Sequence, residues 1–348
     1  MSEKVVVMMS GGVDSSMAAV CLLEQGYEVI GATLRQVVED PNSANRQVAE
    51  AQAVADRIGI PHETVDSSEA FQKDVVEPFI AAYCAGRTPN PCFHCNPGIK
   101  FRLGLELADR LGARWLATGH YARIIATDSG PRLARAAHRS KDQSYFLAGL
   151  PARMIQRIQF PLGEFSKKQV RDLAKEHGLR ISERKESQEI CFTEAGDVHA
   201  FFAGRDLSQA GDIVNTEGDV LGRHRGIVHY TIGQRRGLGL AGGPYYVMEL
   251  DAETNRVVVG RHDDLYTREV EAVESNYLAP VREGMTGEAK IRSRHRAAKC
   301  RMVDVSEGSF RIRFDEPQWG VAPGQALVVY DGDYVLAGGV IESGTQGQ

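Results

Sequence analysis

Apolar and polar positions along the first half of the chain alternate between two periods. Residues 4–9 are an apolar run ending in Ser10-Gly11-Gly12, and 15–25 follow with Ala19, Leu22 and Leu23 on one helical face. Residues 27–34 have strand character. Residues 45–58 place Val48, Ala51, Val54, Ala55 and Ile58 at helical spacing. A short strand at 62–65, helices at 71–82 and 99–111, and a strand at 115–118 complete the series, the last ending in Gly119-His120. Strands alternating with helices predict a parallel sheet wrapped by helices.

The pattern changes after Cys191. Residues 212–240 hold many glycines and short strand candidates, and 245–250 and 256–259 flank a turn at 251–255. Beyond Glu269 the chain alternates: Phe310, Ile312 and Phe314 fall on one face, Arg311 and Arg313 on the other. Pro323-Gly324 marks a turn before a strand at 326–330, and the whole reads as a small β-barrel or sandwich. The expected boundaries are 1–198, 199–268 and 269–348. Only the tail, 344–348, looks loose.

A length of 348 residues exceeds one compact core and agrees with two or three domains. With 43% hydrophobic and 25% charged residues the composition is that of a soluble globular protein. No apolar run approaches bilayer-spanning length, so no membrane partner is expected, and the first residues do not form a secretory signal. A cytoplasmic, reducing location follows by default. There, six cysteines point to metal binding or catalysis where they cluster, rather than to a disulfide framework. At a net charge of -5, any nucleic-acid site must be a local basic patch.

The segment Ser10-Gly11-Gly12-Val13-Asp14-Ser15-Ser16 lies between a strand and a helix. Glycines permit the tight turn, exposed N–H groups at the helix start attract phosphate oxygens, and Ser10, Ser15 and Ser16 add hydroxyls. Asp14 is a candidate for holding Mg2+ or for capping the helix. The plainer alternative is a strand–turn–helix with a capping serine. The string lacks the Lys-Ser/Thr ending of a Walker loop. It resembles the SGGxDS pyrophosphate loop of the ATP pyrophosphatase superfamily, whose members attach AMP to an oxygen and release pyrophosphate. Leu34 and Gly119 end strands where a nucleotide would lie across the sheet.

Cys92 and Cys95 stand in Thr88-Pro89-Asn90-Pro91-Cys92-Phe93-His94-Cys95-Asn96, and Cys191 in Glu186-Ser187-Gln188-Glu189-Ile190-Cys191-Phe192. Cys21, Cys84 and Cys300 are isolated and fit small hydrophobic positions. Taken with SGGVDSS, the segments TPNPCFHCN followed by IKF, TGHYAR, KDQSYFL, ICF, GDIV and HYTIGQRRGLG resemble the tRNA-specific 2-thiouridylase family over essentially the whole chain. The resemblance implies an α/β fold: a Rossmann-like pyrophosphate-loop domain with a parallel sheet, then a small central domain and a C-terminal β-barrel. It also implies that the enzyme adenylates the 2-carbonyl oxygen of the wobble uridine with ATP and Mg2+, after which sulfur displaces AMP. In the family pattern the cysteine at Cys95 attacks the base or forms a disulfide, and the one at Cys191 carries a persulfide. The implied tRNAs are those for Lys, Glu and Gln. The donor is a cysteine desulfurase, a relay protein or inorganic sulfide.

One departure matters. Cys92 stands where the family pattern has an aspartate, a candidate general base. A cysteine is a poor base there but a good soft-metal ligand. Three readings stay open. Cys92, Cys95 and Cys191 hold a [4Fe-4S] cluster with one iron open, which is the leading expectation; or the persulfide–disulfide route runs with Cys92 a passenger; or zinc binds, with His94 added.

The densest basic stretch is Lys290-Ile291-Arg292-Ser293-Arg294-His295-Arg296, with Lys299 beyond it. As a strand it would array Lys290, Arg292, Arg294 and Arg296 on one face, a stripe for tRNA phosphates or a solvated barrel face. Gln234-Arg235-Arg236 and Arg223-His224-Arg225 would extend it. The resemblance places Lys141, Asp142 and Gln143 near the tRNA, where a capped helix start is equally expected. Asn90 is a candidate contact for a splayed base, and His120 is a possible site residue. Two rivals remain: a superfamily ligase acting on a small molecule, and a non-catalytic iron–sulfur or RNA-binding scaffold.

Overall fold

The computed structural model describes residues 2–36, 41–179, 190–193, 198–202, 205, 207 and 209–345. In chain order the first unit runs β1 (Lys4–Met8), α1 (Val13–Glu24), β2 (Glu28–Arg35), α2 (Pro41–Ile58), β3 (His62–Asp66), α3 (Ser68–Phe71), α4 (Glu77–Cys84), α5 (Pro91–Cys95), α6 (Arg102–Arg110), β4 (Trp115–Thr118), β5 (Ala122–Thr127), β6 (Gly130–Arg135), α7 (Ser144–Leu147), α8 (Ala152–Ile155), β7 (Ile158–Gln159) and α9 (Lys167–Glu176). Two helical segments, Gln72–Val76 and Asn96–Phe101, are π-helical and join α3 to α4 and α5 to α6.

Strands β3-β2-β1-β4-β7 form one sheet in that order, every pairing parallel. Both faces are covered, so β1 reads as a continuous apolar run rather than an alternation. Val5 and Val7 pack toward Met17, Val54, Val170 and Ala174, whereas Val6 and Met8 pack toward Phe79, Leu105 and Leu107. The chain winds from β1 outward to β3 and then crosses to β4 on the other side of β1. The crevice at the strand C-termini therefore opens between β1 and β4, where open α/β sheets take their ligands.

The hairpin β5–β6 was not anticipated from the sequence. It leaves the parallel sheet and pairs through Ala134 with Tyr334 of the C-terminal unit.

After α10 (Val198–Phe202), strands β8 (Gly211–Val214), β9 (Val220–His224), β10 (Tyr246–Asp251) and β11 (Arg256–Gly260) make a four-stranded sheet around Ile213, Val247, Val257 and Val259. The final six strands are β12 (Tyr266–Tyr277), β13 (Thr286–Lys290), β14 (Ala298–Ser306), β15 (Ser309–Trp319), β16 (Ala326–Asp331) and β17 (Tyr334–Thr345). They pair in the order β12-β15-β14-β13-β16-β17, and β17 returns to β12, closing a barrel without free edges. Phe310, Ile312 and Phe314 fill its interior and Arg311 and Arg313 face out, as their alternation requires.

Two expectations fail here. The basic stretch is not a strand: β13 stops at Lys290, Ile291 turns into the core, and 292–297 form a turn. A run with one apolar residue has no second row to bury, so Lys290, Arg292, Arg294 and Arg296 do not share one strand face. Nor is the tail loose from 344: Gly344 pairs with Val270 within β17. Residues 346–348 lie outside the described residues, as do Glu186–Glu189 of the Cys191 segment. No described helix is long and apolar enough to cross a membrane.

Candidate active site

The pyrophosphate-type loop sits at the mouth of the crevice. Gly11 has φ +71, and a Cβ there would lie 2.9 Å from Cβ of Glu50, so this turn needs glycine. Gly12 caps α1 without a side-chain bond, and the first helical hydrogen bond is Ser16 N–H to Gly12 C=O at 3.2 Å. The N–H groups of Val13, Asp14 and Ser15 therefore lie before the first helical bond, where a helix start favours an anion. Ser15 Oγ accepts from Ser10 N–H at 3.1 Å and donates to Gly12 C=O at 3.1 Å; Ser16 Oγ donates to the same carbonyl at 2.9 Å. These two hydroxyls hold the loop's shape, while Ser10 is exposed. Leu34 is buried near the end of β2. Gly119 presses on the loop from β4: a Cβ would stand 2.7 Å from C of Asp14 and from N of Ser15.

Asp14 does not cap the helix. Lys167 Nζ donates to both its carboxylate oxygens at 2.7 Å, and Tyr121 O–H donates to Oδ1 at 2.7 Å. Neither partner was singled out from the sequence. Lys167 is the first residue of α9, fixed by a capping box between Ser166 and Gln169. Tyr121 follows Gly119-His120 at the exit of β4.

The cysteine segment is held from the barrel side. Thr88 N–H donates to Pro323 C=O at 2.8 Å, Asn90 N–H to Gly324 C=O at 3.2 Å, and Gln325 Nε2 to Thr88 C=O at 2.9 Å. Pro91 starts α5 at a position where a missing N–H costs nothing. Cys92 and Cys95 are three residues apart, on one side of the helix. The π-helical turn Asn96–Phe101 then widens the winding, so Lys100, five residues past Cys95, returns toward that side. Cys191 arrives from far along the chain. Its neighbour Phe192 packs edge-on against Phe71, Phe79 and Phe201.

The three thiols share one electrostatic neighbourhood. Burial pushes Cys92 up to about 11, helped by Cys191 and opposed by Lys100. Burial pushes Cys95 up to about 12; Lys100 opposes this, and Cys191 and Cys92 add to it. Cys191 is also raised, by burial against the pull of Lys100. As a residue Cys191 is exposed. His120 belongs to the same neighbourhood. Burial, then the Lys100 charge, holds its imidazole well below the usual value. Its Nδ1 lies 2.7 Å from Thr118 Oγ1, and Phe101 stacks on its ring. Gly119 touches the phosphate loop and His120 feels the Lys100 charge, so the end of β4 links the loop to the neighbourhood of the thiols.

His94 does not join the thiols. It is exposed, with Nδ1 3.7 Å from a Glu274 carboxylate oxygen, which removes the fourth ligand of a zinc site. Among the described residues no group of three or more His, Cys, Asp or Glu side chains is placed to hold a metal ion.

The residues expected to face RNA divide. Asp142 accepts from Ala136 N–H, Ser144 N–H and Ser144 Oγ at 3.0, 3.2 and 2.9 Å, so it organises the start of α7. Gln143 and Tyr121 clasp each other, Gln143 N–H to Tyr121 C=O at 2.8 Å and Tyr121 N–H to Gln143 Oε1 at 2.9 Å. Lys141 is half-buried beside them. Asn90 is buried against the Tyr145 hydroxyl, which donates to Ala326 C=O at 2.8 Å. Arg292 lies over Trp319 at 5.9 Å, Trp319 stacks on His262, and Arg294 is exposed. His224 is buried, its Nε2 3.0 Å from Asn255 C=O, a structural role; Arg235 and Arg236 are exposed.

Comparison with known proteins accounts for the whole chain. The family model described as "tRNA methyl transferase HUP domain" matches residues 3–195, the "tRNA methyl transferase PRC-barrel domain" 199–261, and the "Aminomethyltransferase beta-barrel domain" 267–341. A curated relative from Acidithiobacillus ferrooxidans, tRNA-specific 2-thiouridylase MnmA, is 43% identical over 98% of both chains. One of the same name from Syntrophotalea carbinolica is 45% identical over 98% of this chain and 99% of its own. Among solved structures, the U34-tRNA thiolase NcsA from Methanococcus maripaludis, described with its [4Fe-4S] cluster, is 16% identical over 58% of this chain and 66% of its own. Its TM-score of 0.38 is too low to bear on the site. With full-length identity above two-fifths to the first two, the chain belongs to the tRNA-specific 2-thiouridylase family of tRNA sulfurtransferases.

Proposed function

We propose that this protein is an ATP-dependent tRNA-uridine 2-sulfurtransferase that acts in the cytoplasm on the wobble uridine of the tRNAs for Lys, Glu and Gln. The observation that supports the reading is that three thiols and Lys100 influence one another electrostatically, while Lys100 also acts on His120, next to the Gly119 that touches the phosphate loop. The uridine 2-oxygen attacks the α-phosphorus of MgATP, pyrophosphate leaves, and C2 becomes electrophilic. A sulfur nucleophile then adds at C2, and AMP departs with the oxygen. Ser10, Gly11, Gly12, Asp14, Ser15, Ser16, Leu34 and Gly119 line the nucleotide side. Asn90, against the cysteine helix, meets the splayed base. Residues 1–198 supply the chemistry, and 199–268 and 269–348 present the tRNA, with Lys141, Asp142, Gln143, Arg292 and Arg294 at its contacts.

One feature supports the cluster reading beside the free-thiol route. Thiols raised by burial to about 11 and 12 are almost wholly protonated at neutral pH, poor nucleophiles unless something replaces the proton. A metal does so outright. The chemistry of the donors suits a cluster, three soft sulfurs with Lys100 to offset their negative charge, but among the described residues they are not gathered into a metal-holding group. When bound through Cys92, Cys95 and Cys191, a [4Fe-4S] cluster would supply an open iron for sulfide. Lys100 would stabilise the accumulated negative charge, and neutral His120 would keep a second cation out. The persulfide route, with Cys95 and Cys191 as its two cysteines and a desulfurase or relay protein as donor, is the alternative outcome of the test.

That test is anaerobic purification, reconstitution with iron and sulfide, and ATP- and tRNA-dependent thiolation with Cys92, Cys95 and Cys191 replaced singly. The cluster reading expects iron at about four per chain, broad absorption near about 400 nm, and loss of both in each variant. Iron-free protein that is active with a persulfide donor and indifferent to Cys92 would overturn it. AMP release that ignores tRNA would overturn the function itself and restore the small-molecule ligase.

A further inference from the structure

The first peptide of the phosphate loop is held at both ends, and one of the holders lies outside the loop. Ser10 N–H donates to Ser15 Oγ at 3.1 Å, while the carbonyl of the same peptide, Met9 C=O, accepts the Thr33 hydroxyl at 2.9 Å. A peptide is planar, so the two bonds together fix its rotation. Without the second, the plane can turn and draw Ser10 N–H off the hydroxyl that shapes the loop. Thr33 is fully buried near the end of β2, and Met9 is not its only partner. His62 Nε2 of β3 lies 2.8 Å from the same hydroxyl, and His62 Nδ1 lies 3.1 Å from Gln52 Oε1 of α2. Gln52 Nε2 in turn donates to Asp56 Oδ1 at 2.8 Å. A hydroxyl has one hydrogen to give. Asp56 orients the Gln52 amide so that its oxygen faces His62. Every link is therefore made only when both His62 nitrogens carry protons: Thr33 accepts from Nε2 and gives its own hydrogen to Met9. A neutral imidazole has one proton and must drop a link. With the proton on Nδ1 it keeps Gln52 and draws the Thr33 hydrogen away from Met9. With the proton on Nε2 it keeps Met9 and leaves Gln52 Oε1 against a bare lone pair. Burial holds the imidazole below its usual value, against the pull of Asp56 on α2 and Glu63 on its own strand. The neighbours from β1 and β2, namely Met9, Thr33 and the Gly31 that lies against the ring, are uncharged.

We propose that Thr33 and His62 are positioning residues for adenylation: the proton on His62 decides whether the Thr33 hydroxyl holds the Met9–Ser10 peptide, and so how well the loop is shaped for MgATP. Both act through the backbone. With His62 charged, the chain from Asp56 to Met9 is complete and the loop is ordered before ATP arrives. With His62 neutral, ATP must do part of the ordering itself, which weakens its binding. Protonation and MgATP binding then favour each other, so affinity falls as pH rises through the folded value of His62, which lies below the usual 6.5. This assignment rests on the proposed function, because it takes the loop to bind ATP.

The test is calorimetric titration of the full-length protein at pH 5.5 and 7.5 with MgATP and, separately, with an unmodified tRNA transcript for Glu. Thr33→Val keeps the shape of the side chain and removes the hydroxyl. It is expected to weaken MgATP about two- to tenfold at pH 5.5, the worth of one hydrogen bond, and tRNA less than about twofold, with Thr33→Ser restoring MgATP binding. His62→Gln keeps an amide donor toward Thr33 and does not titrate. Relative to it, wild type should lose MgATP affinity by about threefold between pH 5.5 and 7.5, a ratio in which the nucleotide's own titration cancels. Thr33→Val that binds MgATP like wild type, or that weakens MgATP and tRNA alike as a merely structural threonine would, overturns the proposal. So does a ratio that ignores pH, and that ratio decides alone should Thr33→Val not fold. Wild-type protein that binds no MgATP at all would instead remove the proposed function, and this inference with it.

Discussion

Replacing Gly119 by alanine tests whether the end of β4 and the phosphate loop form one rigid mouth. The new methyl carbon would lie 2.7 Å from C of Asp14 and N of Ser15 and 2.9 Å from O of Asp14, all of them backbone atoms. Ordinary contacts begin at 3.4 Å, so strand and loop must separate by about 0.7 Å. Neither can yield cheaply, since Ser15 and Ser16 pin the loop to Gly12 and Ala117 and Thr118 are buried in the sheet. Overpacking of this kind costs about 1–3 kcal/mol, or a melting temperature of the domain that holds Gly119 lower by about 2–4 °C per kcal/mol. The functional cost is larger, because a shift approaching 1 Å in a reacting geometry lowers rate about 100-fold. Calorimetric melting and tRNA-dependent AMP release are the assays. Activity within about threefold of wild type, at an unchanged melting temperature, would refute the claim that this contact sets the loop.

Two further outcomes follow from the buried thiols and the buried histidine. In metal-free protein at pH 8, Cys92 should react with iodoacetamide about tenfold more slowly than an ordinary exposed thiol. Raising its pKa from 9.0 to about 11 cuts the thiolate about 100-fold, and the greater nucleophilicity of the more basic sulfur returns about tenfold; mass-spectrometric labelling at pH 8 that matches glutathione would contradict this. His120 stays neutral in the fold while the unfolded chain protonates near pH 6.5, so the unfolded state binds the extra proton and stability is lost as pH falls through 6.5 toward the depressed folded value. Urea unfolding at pH 7.5 and 5.5 should show wild type losing about 1.4 kcal/mol more than His120→Asn, and equal losses would sink the assignment.

What the sequence shows and what it hides divide along physical lines. Period is local, so the parallel strands and the barrel face of Phe310, Ile312 and Phe314 are legible from their spacing. The loop SGGVDSS is legible because its chemistry lies within seven consecutive residues. Lys167 is not: nothing near it in sequence marks it as different from Lys168, and only the packing of α9 on α1 brings it to Asp14. The hairpin β5–β6 carried its turn in plain sight, as Asp128-Ser129-Gly130-Pro131, but its partner strand β17 lies about 200 residues on, where local pattern has no reach. The stretch 290–296 misled because alternating charge imitates a strand, although a strand is stabilised by the apolar row it buries. The departure at Cys92 was legible only against a family pattern; its meaning needed Cys191 and Lys100 in the same neighbourhood.

The barrel fixes the backbone of the segments that carry the candidate site, whatever its surface charges contribute. Asn276 of β12 donates to Ala148 C=O at 2.7 Å and to Leu150 C=O at 2.8 Å, just beyond α7. Arg135 of β6 lies over the Tyr330 ring at 3.8 Å, and Tyr145 reaches Ala326 of β16. The turn at Pro323-Gly324 holds the chain immediately before Cys92, at a separation so small that a Cβ on Gly324 would meet the Thr88 carbonyl carbon at 3.0 Å. Most of these contacts join the barrel to a segment that carries or flanks a site residue, and several use main-chain atoms, which have no rotamers to relax. If the barrel helps to present the tRNA, as proposed, these contacts fix the distance between that grip and the thiols. A base delivered by the grip then arrives at Asn90 and Cys95 without a further search. That arrangement converts binding energy from remote RNA contacts into position at the reacting carbon, the purpose for which an enzyme of this kind would need a rigid second domain at all.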